Sequence, residues 1–258
     1  MAGLVACMLA APAQAKNCGD DVDGARVACA CGDIVVSDTT LRPTDPVAAE
    51  PCSSNGLVIL APTGSEGLTL HLGGQSIVGS GRGSGIRVVR GGSLGSVIVG
   101  GDAEDSRAEI ARFDTGIRAH GSAVLREVRA VDVHDNKDNG LKLRTSGVRV
   151  VDVKSRSNGG DGISLSGHGI EVSGVAAEGN SGDGLKVRGA GATVEGETRA
   201  NGRHGAVIGG RGAVLRSVRS SGNGGAGLLA TGSGHVVAEL EASDNAGGDV
   251  AGRAGATK

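Results

Sequence analysis

The sequence predicts an all-β protein: a right-handed parallel β-helix, that is, a β-solenoid with about 22 residues per coil, with a disulfide-stapled N-terminal cap. Three observations predict it. Asparagines recur at a fixed step, short apolar stretches alternate with strand period, and glycine, at 49 of 258 residues, is periodic. No stretch of ten residues in the repeat lacks Gly, Asn, Asp or Ser, which argues against long helices.

One asparagine opens each row of the repeat. These asparagines are Asn136, Asn158, Asn180, Asn201, Asn223 and Asn245. The steps between them are 22, 22, 21, 22 and 22 residues. A row of this length accommodates three short strands, and successive rows stack at roughly 4.8 Å. The asparagines should therefore form a column whose amides hydrogen-bond along the axis. A glycine column follows at the next corner, where a positive φ or a close approach is needed: Gly140, Gly162, Gly184, Gly205 and Gly227.

Apolar residues of each row alternate with a period of two, which is the spacing of a strand with one buried face. Leu141 and Leu143 form one such pair, and Ile163 and Leu165 repeat it one row later. A second set, which includes Val148 and Val150 in the same row, predicts another wall. The solenoid is predicted to span residues 55–258.

Residues 1–15 have the pattern of a secretion signal. Leu4–Ala11 is a short apolar segment, and Ala13-Gln14-Ala15 suits cleavage after Ala15. Two alternatives stay open: a buried N-terminal strand or helix, and lipidation of Cys7. The pattern predicts a secreted, periplasmic or cell-surface protein, and no later stretch is long enough to span a membrane.

The N-terminal cap, residues 16–54, contains four cysteines: Cys18, Cys29, Cys31 and Cys52. An even, clustered set in an exported chain predicts two disulfides, with three pairings open. Cys29 and Cys31 are too close in an extended chain to bond each other easily, which favours Cys18–Cys29 and Cys31–Cys52. A zinc site is the weaker alternative, because the spacing is not that of a zinc finger.

The stretch 68–88, Leu-Thr-Leu-His-Leu-Gly-Gly-Gln-Ser-Ile-Val-Gly-Ser-Gly-Arg-Gly-Ser-Gly-Ile-Arg-Val, resembles the opening coil of bacterial right-handed β-helix repeat proteins. The usual form in that family is Leu-Asp-Leu-Asn-Gly-His-Thr-Ile, followed by Gly-Ser-Gly and Gly-Ile. The resemblance implies the pectate-lyase-like superfamily, which includes polysaccharide lyases, hydrolases and epimerases. This chain departs from the pattern, since His71, Gly73 and Gln75 replace the usual Asp, Asn and His.

Basic residues form a stripe on the strand after the corner glycine. Ser164 and Ser166 interrupt the stripe, which otherwise comprises Arg118, Lys142 and Lys186 and then His120, Arg144 and Arg188. Such a stripe suits an acidic polysaccharide whose carboxylates repeat along its length. The alternative is that exposed cations keep a flat sheet soluble. In that case nearby acidic residues would pair with them: Asp132, Asp152, Glu171 and Glu195.

Two carboxylates, Asp161 and Asp183, precede the corner glycine in successive rows. Carboxylates about one coil apart could share a calcium ion, which takes six to eight oxygens, or act as paired acid and base. The alternative is structural, because Asp-Gly suits a tight turn.

We expect an exported, carbohydrate-associated protein that binds or processes an acidic polysaccharide by lyase or epimerase chemistry. Arg118 and His120 would bind substrate, and Asp161 and Asp183 would hold calcium or substrate. The candidates for the catalytic base are Lys142, Arg144, Lys186 and Arg188. Whether the protein is an enzyme stays open. A non-catalytic scaffold or adhesion protein is the alternative, favoured by the absence of Trp and Tyr and the single Phe. The net charge of −2 argues against nucleic acid as a partner.

Overall fold

The computed structural model describes residues 15–101, 106–121 and 123–252. It shows a parallel β-solenoid of about 10 turns with about 22 residues per coil, which confirms the predicted fold class. Two sheets run along the solenoid, one of 12 strands, here sheet A, and one of 14 strands, here sheet B. Each typical row contributes one strand to sheet A, and sheet B forms the remaining walls.

In chain order the elements are β1 (Asn17–Val22), β2 (Ala25–Val27), β3 (Ile34–Val35), β4 (Thr39–Thr40), α1 (Pro46–Ala49), β5 (Leu57–Leu60), β6 (Thr69–His71), β7 (Ile77–Val78), β8 (Ser84–Arg90), β9 (Ser96–Val99), β10 (Ala108–Ala111), β11 (Thr115–Ala119), β12 (Leu125–Arg129), β13 (Val131–His134), β14 (Leu141–Arg144), β15 (Arg149–Val151), β16 (Lys154–Arg156), β17 (Ile163–Ser166), β18 (Glu171–Glu178), β19 (Leu185–Ala190), β20 (Thr193–Arg199), β21 (Ala206–Arg211), β22 (Val214–Ser221), β23 (Leu228–Ser233), β24 (Val236–Val237), β25 (Leu240–Ser243) and β26 (Val250–Gly252). Sheet A has the order β2-β1-β3-β5-β8-β11-β14-β17-β19-β21-β23-β26, and the other strands form sheet B.

The ladder of sheet A keeps equivalent residues of successive rows side by side. Leu141 pairs with Ile163 in the parallel register, and Ile163 pairs with Leu185. All three are buried in the core. Their neighbours Lys142 and Lys186 point to the opposite face, because successive side chains of a strand alternate. The predicted period of two is therefore the alternation of core and surface.

Phe113, the only aromatic residue of the chain, is fully buried in this narrow core. It fits because glycines lie against its ring. A Cβ added at Gly79 would lie 2.5 Å from the ring, and one added at Gly85 would lie 3.1 Å from it. The surface of the protein consequently carries no aromatic side chain, since Trp and Tyr are absent from the sequence.

The buried asparagine ladder is confirmed. Asn180 Oδ1 accepts hydrogen bonds from the backbone N–H of Asn158 at 3.0 Å and from its Nδ2 at 2.9 Å. Asn180 Nδ2 donates to the carbonyl of Ser155 and to Asn201 Oδ1, both at 3.0 Å. The corner glycine is required by close approach, because a Cβ at Gly162 would lie 2.6 Å from Asn180 Nδ2.

The disulfides Cys18–Cys29 and Cys31–Cys52 form as predicted. The cysteine-containing segment is continuous with the solenoid, because β1 pairs with β3 and β3 pairs with β5, both in parallel. A buried carboxylate, Asp45, organises the segment by accepting hydrogen bonds from Arg26 Nη2 at 2.7 Å and from the N–H of Cys29 at 3.2 Å.

Several sequence features lie outside the described residues. They include residues 1–14 of the predicted secretion signal, with Cys7, and the acidic segment Asp102-Ala103-Glu104-Asp105. Within the described ranges, no helix has the length and hydropathy needed to cross a membrane.

We expect Asn180→Ala to lower the free energy of unfolding by about 3 kcal/mol, since each buried polar group left without a partner costs roughly 1–3 kcal/mol. The amide of Asn158 and the carbonyl of Ser155 would lose their partner. Urea unfolding followed by circular dichroism measures the change. Ser181→Ala, at an exposed position next to the ladder, is the matched control and should change stability by less than about 0.5 kcal/mol. Equal stability of the two variants would contradict a structural role for the ladder.

Candidate functional site

The outer face of sheet A brings the predicted basic residues together. Strand register places Arg87, Arg118, Lys142, Ser164 and Lys186 in five consecutive rows. A parallel column two residues further along the strands contains Arg144, Ser166 and Arg188, and His120 follows β11 in the same row as Arg118. We call the cationic set the basic face: Arg87, Arg118, His120, Lys142, Arg144, Lys186 and Arg188.

Arg87 is a member that the sequence prediction missed. Gly85-Ile86-Arg87 repeats Gly116-Ile117-Arg118 in composition, and this similarity is the signal that could have found it. The two arginines are direct neighbours across β8 and β11. An insertion between them, predicted from the sequence at residues 91–105, makes their sequence spacing longer than the regular period.

Two members of the basic face are neutralised by neighbouring carboxylates. Lys142 Nζ lies 2.9 Å from Asp138 Oδ2, and Lys186 Nζ lies 3.1 Å from Asp161 Oδ2 and 2.8 Å from Asp183 Oδ2.

The four arginines of the basic face form no ion pair or hydrogen bond with any residue that the structure describes; they are Arg87, Arg118, Arg144 and Arg188. These guanidinium groups are spread over five rows, a distance of roughly 19 Å along the axis.

Sheet B shows the opposite arrangement, because many of its arginines pair with acids across rows. Arg149 Nε lies 3.3 Å from Glu171 Oε2, and Arg156 Nε lies 3.1 Å from Asp132 Oδ2. Three further pairs are Arg107–Asp152, Arg199–Glu178 and Arg219–Glu241. The hypothesis that Asp132, Asp152 and Glu171 neutralise the basic stripe is therefore wrong, since these carboxylates pair with other arginines.

The residues before the corner glycines form a second hydrogen-bonded column. Asp161 Oδ1 accepts the backbone N–H of Asp183 at 3.0 Å, and Asp183 Oδ1 accepts that of His204 at 3.2 Å. His204 Nδ1 in turn accepts the N–H of Ala226 at 2.9 Å, and Asn139 has the same role in the row before Asp161. One oxygen of each carboxylate thus serves the turn, as the structural alternative predicted.

The other oxygens of Asp161 and Asp183 hold an ammonium group, Lys186 Nζ, between them. A calcium ion at this point would have to displace that ammonium and find further oxygens, because it takes six to eight ligands. Across the described parts of the chain, no group of three or more His, Cys, Asp or Glu is placed to hold a metal ion. The donor set at Asp161 and Asp183 fits an ammonium better than it fits calcium.

This arrangement shifts the pKa values of Lys186 and Asp183 in opposite directions. Burial by itself lowers the pKa of Lys186, but the hydrogen bond of Asp183 and the charge of Asp161 outweigh it, and the pKa is raised. Burial by itself raises the pKa of Asp183, but the hydrogen bond and charge of Lys186 and the N–H of His204 outweigh it, and the pKa is lowered. Lys186 is therefore an ammonium at neutral pH and is poorly suited to accept a proton.

Two grooves lie along the basic face. The first groove has a volume of about 630 Å³ and is lined by Arg87, Arg118, His120 and Asp114, among others. The second groove has a volume of about 530 Å³, and its lining includes Lys142, Arg144, Lys186, Arg188 and Arg203. Predicted catalytic and substrate-binding residues thus divide between two neighbouring grooves of one wall.

The chain matches no protein-family model, no curated protein and no solved structure. The solenoid fold is shown, and the resemblance to the pectate-lyase-like superfamily is carried by the sequence motif alone. The motif positions His71, Gly73 and Gln75 follow or lie on a strand of sheet B, away from the basic face. Gly73 adopts a φ of 58°, and Gln75 Nε2 donates to its carbonyl at 2.9 Å, so this segment forms a turn.

We expect Asp183→Asn to lower the free energy of unfolding at pH 7 by about 1–3 kcal/mol, because Lys186 loses the buried one of its two carboxylate partners. The asparagine oxygen can still accept the N–H of His204. Since the pKa of Asp183 is lowered in the folded state, its contribution is present above the unfolded pKa of about 3.9 and is lost as pH falls through the folded value.

The difference between wild type and Asp183→Asn should therefore shrink between pH 7 and pH 2.5 in urea unfolding. Asp138→Asn is the matched control, because the Asp138 carboxylate is more exposed and its pair with Lys142 is worth less. A difference that is independent of pH would contradict the assigned charge state of Asp183.

Proposed function

We propose that this protein is an exported solenoid that binds an acidic polysaccharide along the basic face. One observation carries the proposal. Four arginines of the basic face, spread over five rows of which one carries serines, form no ion pair with a described residue, whereas Arg149, Arg156 and Arg219 of sheet B are each paired with an acid. A cation kept only for solubility has no reason to differ between the two walls.

The geometry of the basic face suits a linear polyanion lying along the solenoid axis. A guanidinium presents a planar fork of donors that matches carboxylate or sulfate groups. The rows repeat at roughly 4.8 Å, so the four unpaired arginines present a ladder of such forks rather than a single site. The net charge is only −2, so the attraction is local to this wall.

Recognition in this groove must be mainly ionic and through hydrogen bonds. Sugar-binding proteins commonly stack aromatic side chains on sugar rings. The only aromatic residue here, Phe113, is fully buried, so no stacking platform exists on the surface. The affinity for a neutral polysaccharide should accordingly be far lower than for an acidic one.

The charge states favour binding over proton abstraction. Lys186 is held as an ammonium by Asp161 and Asp183, and Lys142 is paired with Asp138. Arginine stays protonated at neutral pH in ordinary surroundings. Lyase or epimerase chemistry, which the family resemblance implies, would require Arg144 or Arg188 to accept a proton in the bound complex. A purely structural scaffold leaves the unpaired arginines unexplained.

The two disulfides support export, because disulfides persist in oxidising compartments. The predicted signal at residues 1–15 agrees with this location. An exported protein meets acidic polysaccharides outside the cytoplasm, where such polymers accumulate.

The proposal is tested by a charge-matched comparison. We expect the triple variant Arg118→Gln, Arg144→Gln, Arg188→Gln to lose roughly 100-fold in affinity for polygalacturonate in affinity electrophoresis, since each exposed charge contact is worth about 1 kcal/mol. The control triple variant Arg149→Gln, Arg156→Gln, Arg219→Gln removes the same charge from sheet B. It should bind as wild type does, and equal losses in both variants would contradict a specific basic face.

We further expect that wild-type protein binds polygalacturonate or alginate without producing unsaturated uronate. Ultraviolet absorbance during incubation, with calcium and with chelator, measures the product. Increasing absorbance that disappears in Arg144→Gln or Arg188→Gln would contradict the binding-only form of the proposal and establish a lyase. Absence of binding to any acidic polymer would favour the scaffold alternative.

A further inference from the structure

His120 occupies an unusual position in the first groove. It follows directly on β11, is half-buried and lines the same groove as Arg87 and Arg118. Its Nε2 is enclosed by protein and has no hydrogen-bond partner among the described residues. A proton on that nitrogen would have no acceptor in the free protein, so the geometry favours an imidazole over an imidazolium.

The charges around His120 act in the same direction. Burial lowers the pKa of His120. The charges of Arg118 on β11, Arg144 and Lys142 on β14, and Arg87 on β8 lower this pKa further. Each neighbouring strand of sheet A therefore contributes a cation. The free groove combines a neutral ring with an excess of positive charge.

Carboxylates offer little compensation at this end of the basic face. Asp114 is the acidic residue that lines the first groove, and within the described structure the charges that act on His120 are those of cations. Asp138 is engaged by Lys142. The charge that would stabilise a protonated His120 must therefore come from a ligand.

We propose that His120 takes up a proton when an acidic polysaccharide occupies the first groove, so that polymer binding is coupled to protonation and tightens as pH falls. The inference rests on the proposed function and deepens it. Anionic groups bound by Arg87 and Arg118 cancel the repulsion that opposes a positive ring. Because Nε2 is enclosed in the free protein, a rotation of the ring toward a bound carboxylate or sulfate oxygen supplies the acceptor that the free protein lacks.

The direction of the coupling follows from linkage. A ligand that raises the pKa of a group binds more tightly in the pH range between the free and the bound values, and the gain grows as pH falls through the bound value. A change of one pKa unit corresponds to a tenfold change in affinity. Below the free value the gain is complete and the affinity becomes independent of pH.

The test uses isothermal titration calorimetry of the full chain with polygalacturonate between about pH 8 and about pH 5.5, where the polymer stays ionised. Each titration is performed in two buffers with different heats of ionisation, which gives the number of protons taken up. We expect wild type to take up a substantial fraction of one proton near pH 6.5 and to bind about tenfold more tightly at the lower pH.

His120→Gln should bind with an affinity that is nearly independent of pH and with much less proton uptake. His168→Gln, at an exposed turn outside both grooves, is the matched control and should behave as wild type does. Tight binding by wild type without proton uptake, or full uptake by His120→Gln, would overturn this inference and leave the proposed function standing. Failure of wild type to bind at every pH would overturn both.

Discussion

The stacked asparagine amides at one corner are the interaction on which the rest of the structure depends. At that corner the backbone turns inside the protein, where an unpaired N–H is costly. Asn158, Asn180 and Asn201 each accept the backbone N–H of the preceding row and pass an amide hydrogen bond onward along the axis. A change of row length would move an asparagine out of this column, so the ladder holds the coil close to 22 residues.

Because the coil length is constant, residues at equivalent positions of successive rows lie side by side and form columns on the surface. Some of these columns consist of charged residues. On sheet B, opposite charges in neighbouring rows neutralise one another, as Arg149 and Glu171 do. On sheet A, the four arginines of the basic face have no ion-pair partner among the described residues, and like charges in neighbouring rows cost stability in the absence of a ligand. The column of residues before the corner glycines combines backbone hydrogen bonding with ion pairing. Asp183 accepts the backbone N–H of His204 with one oxygen and binds the ammonium of Lys186 with the other.

The basic stripe could be predicted because strand alternation and a constant period place Lys142 and Lys186 on one face. Arg87 was missed because the insertion at 91–105 interrupts the period. Ion-pair partners were missed for a different reason. Several acidic residues that are close to the stripe in the sequence form ion pairs with arginines outside it. Asp132, for example, pairs with Arg156 in the next row of sheet B.

By itself the sequence determined the solenoid, its coil length, its disulfide cap and the face on which cations lie. These features follow from the period of the sequence and from local backbone preferences, and both depend only on the order of the residues. Only the tertiary structure decided which cations remain unpaired, that Lys186 is held by Asp161 and Asp183, and that His120 is enclosed among positive charges. Ion pairing requires charged atoms to lie within a few ångströms, because Coulomb attraction in solvent weakens quickly beyond that distance. The paired residues are often more than 20 positions apart in sequence, so the spacing along the chain does not reveal which of them meet.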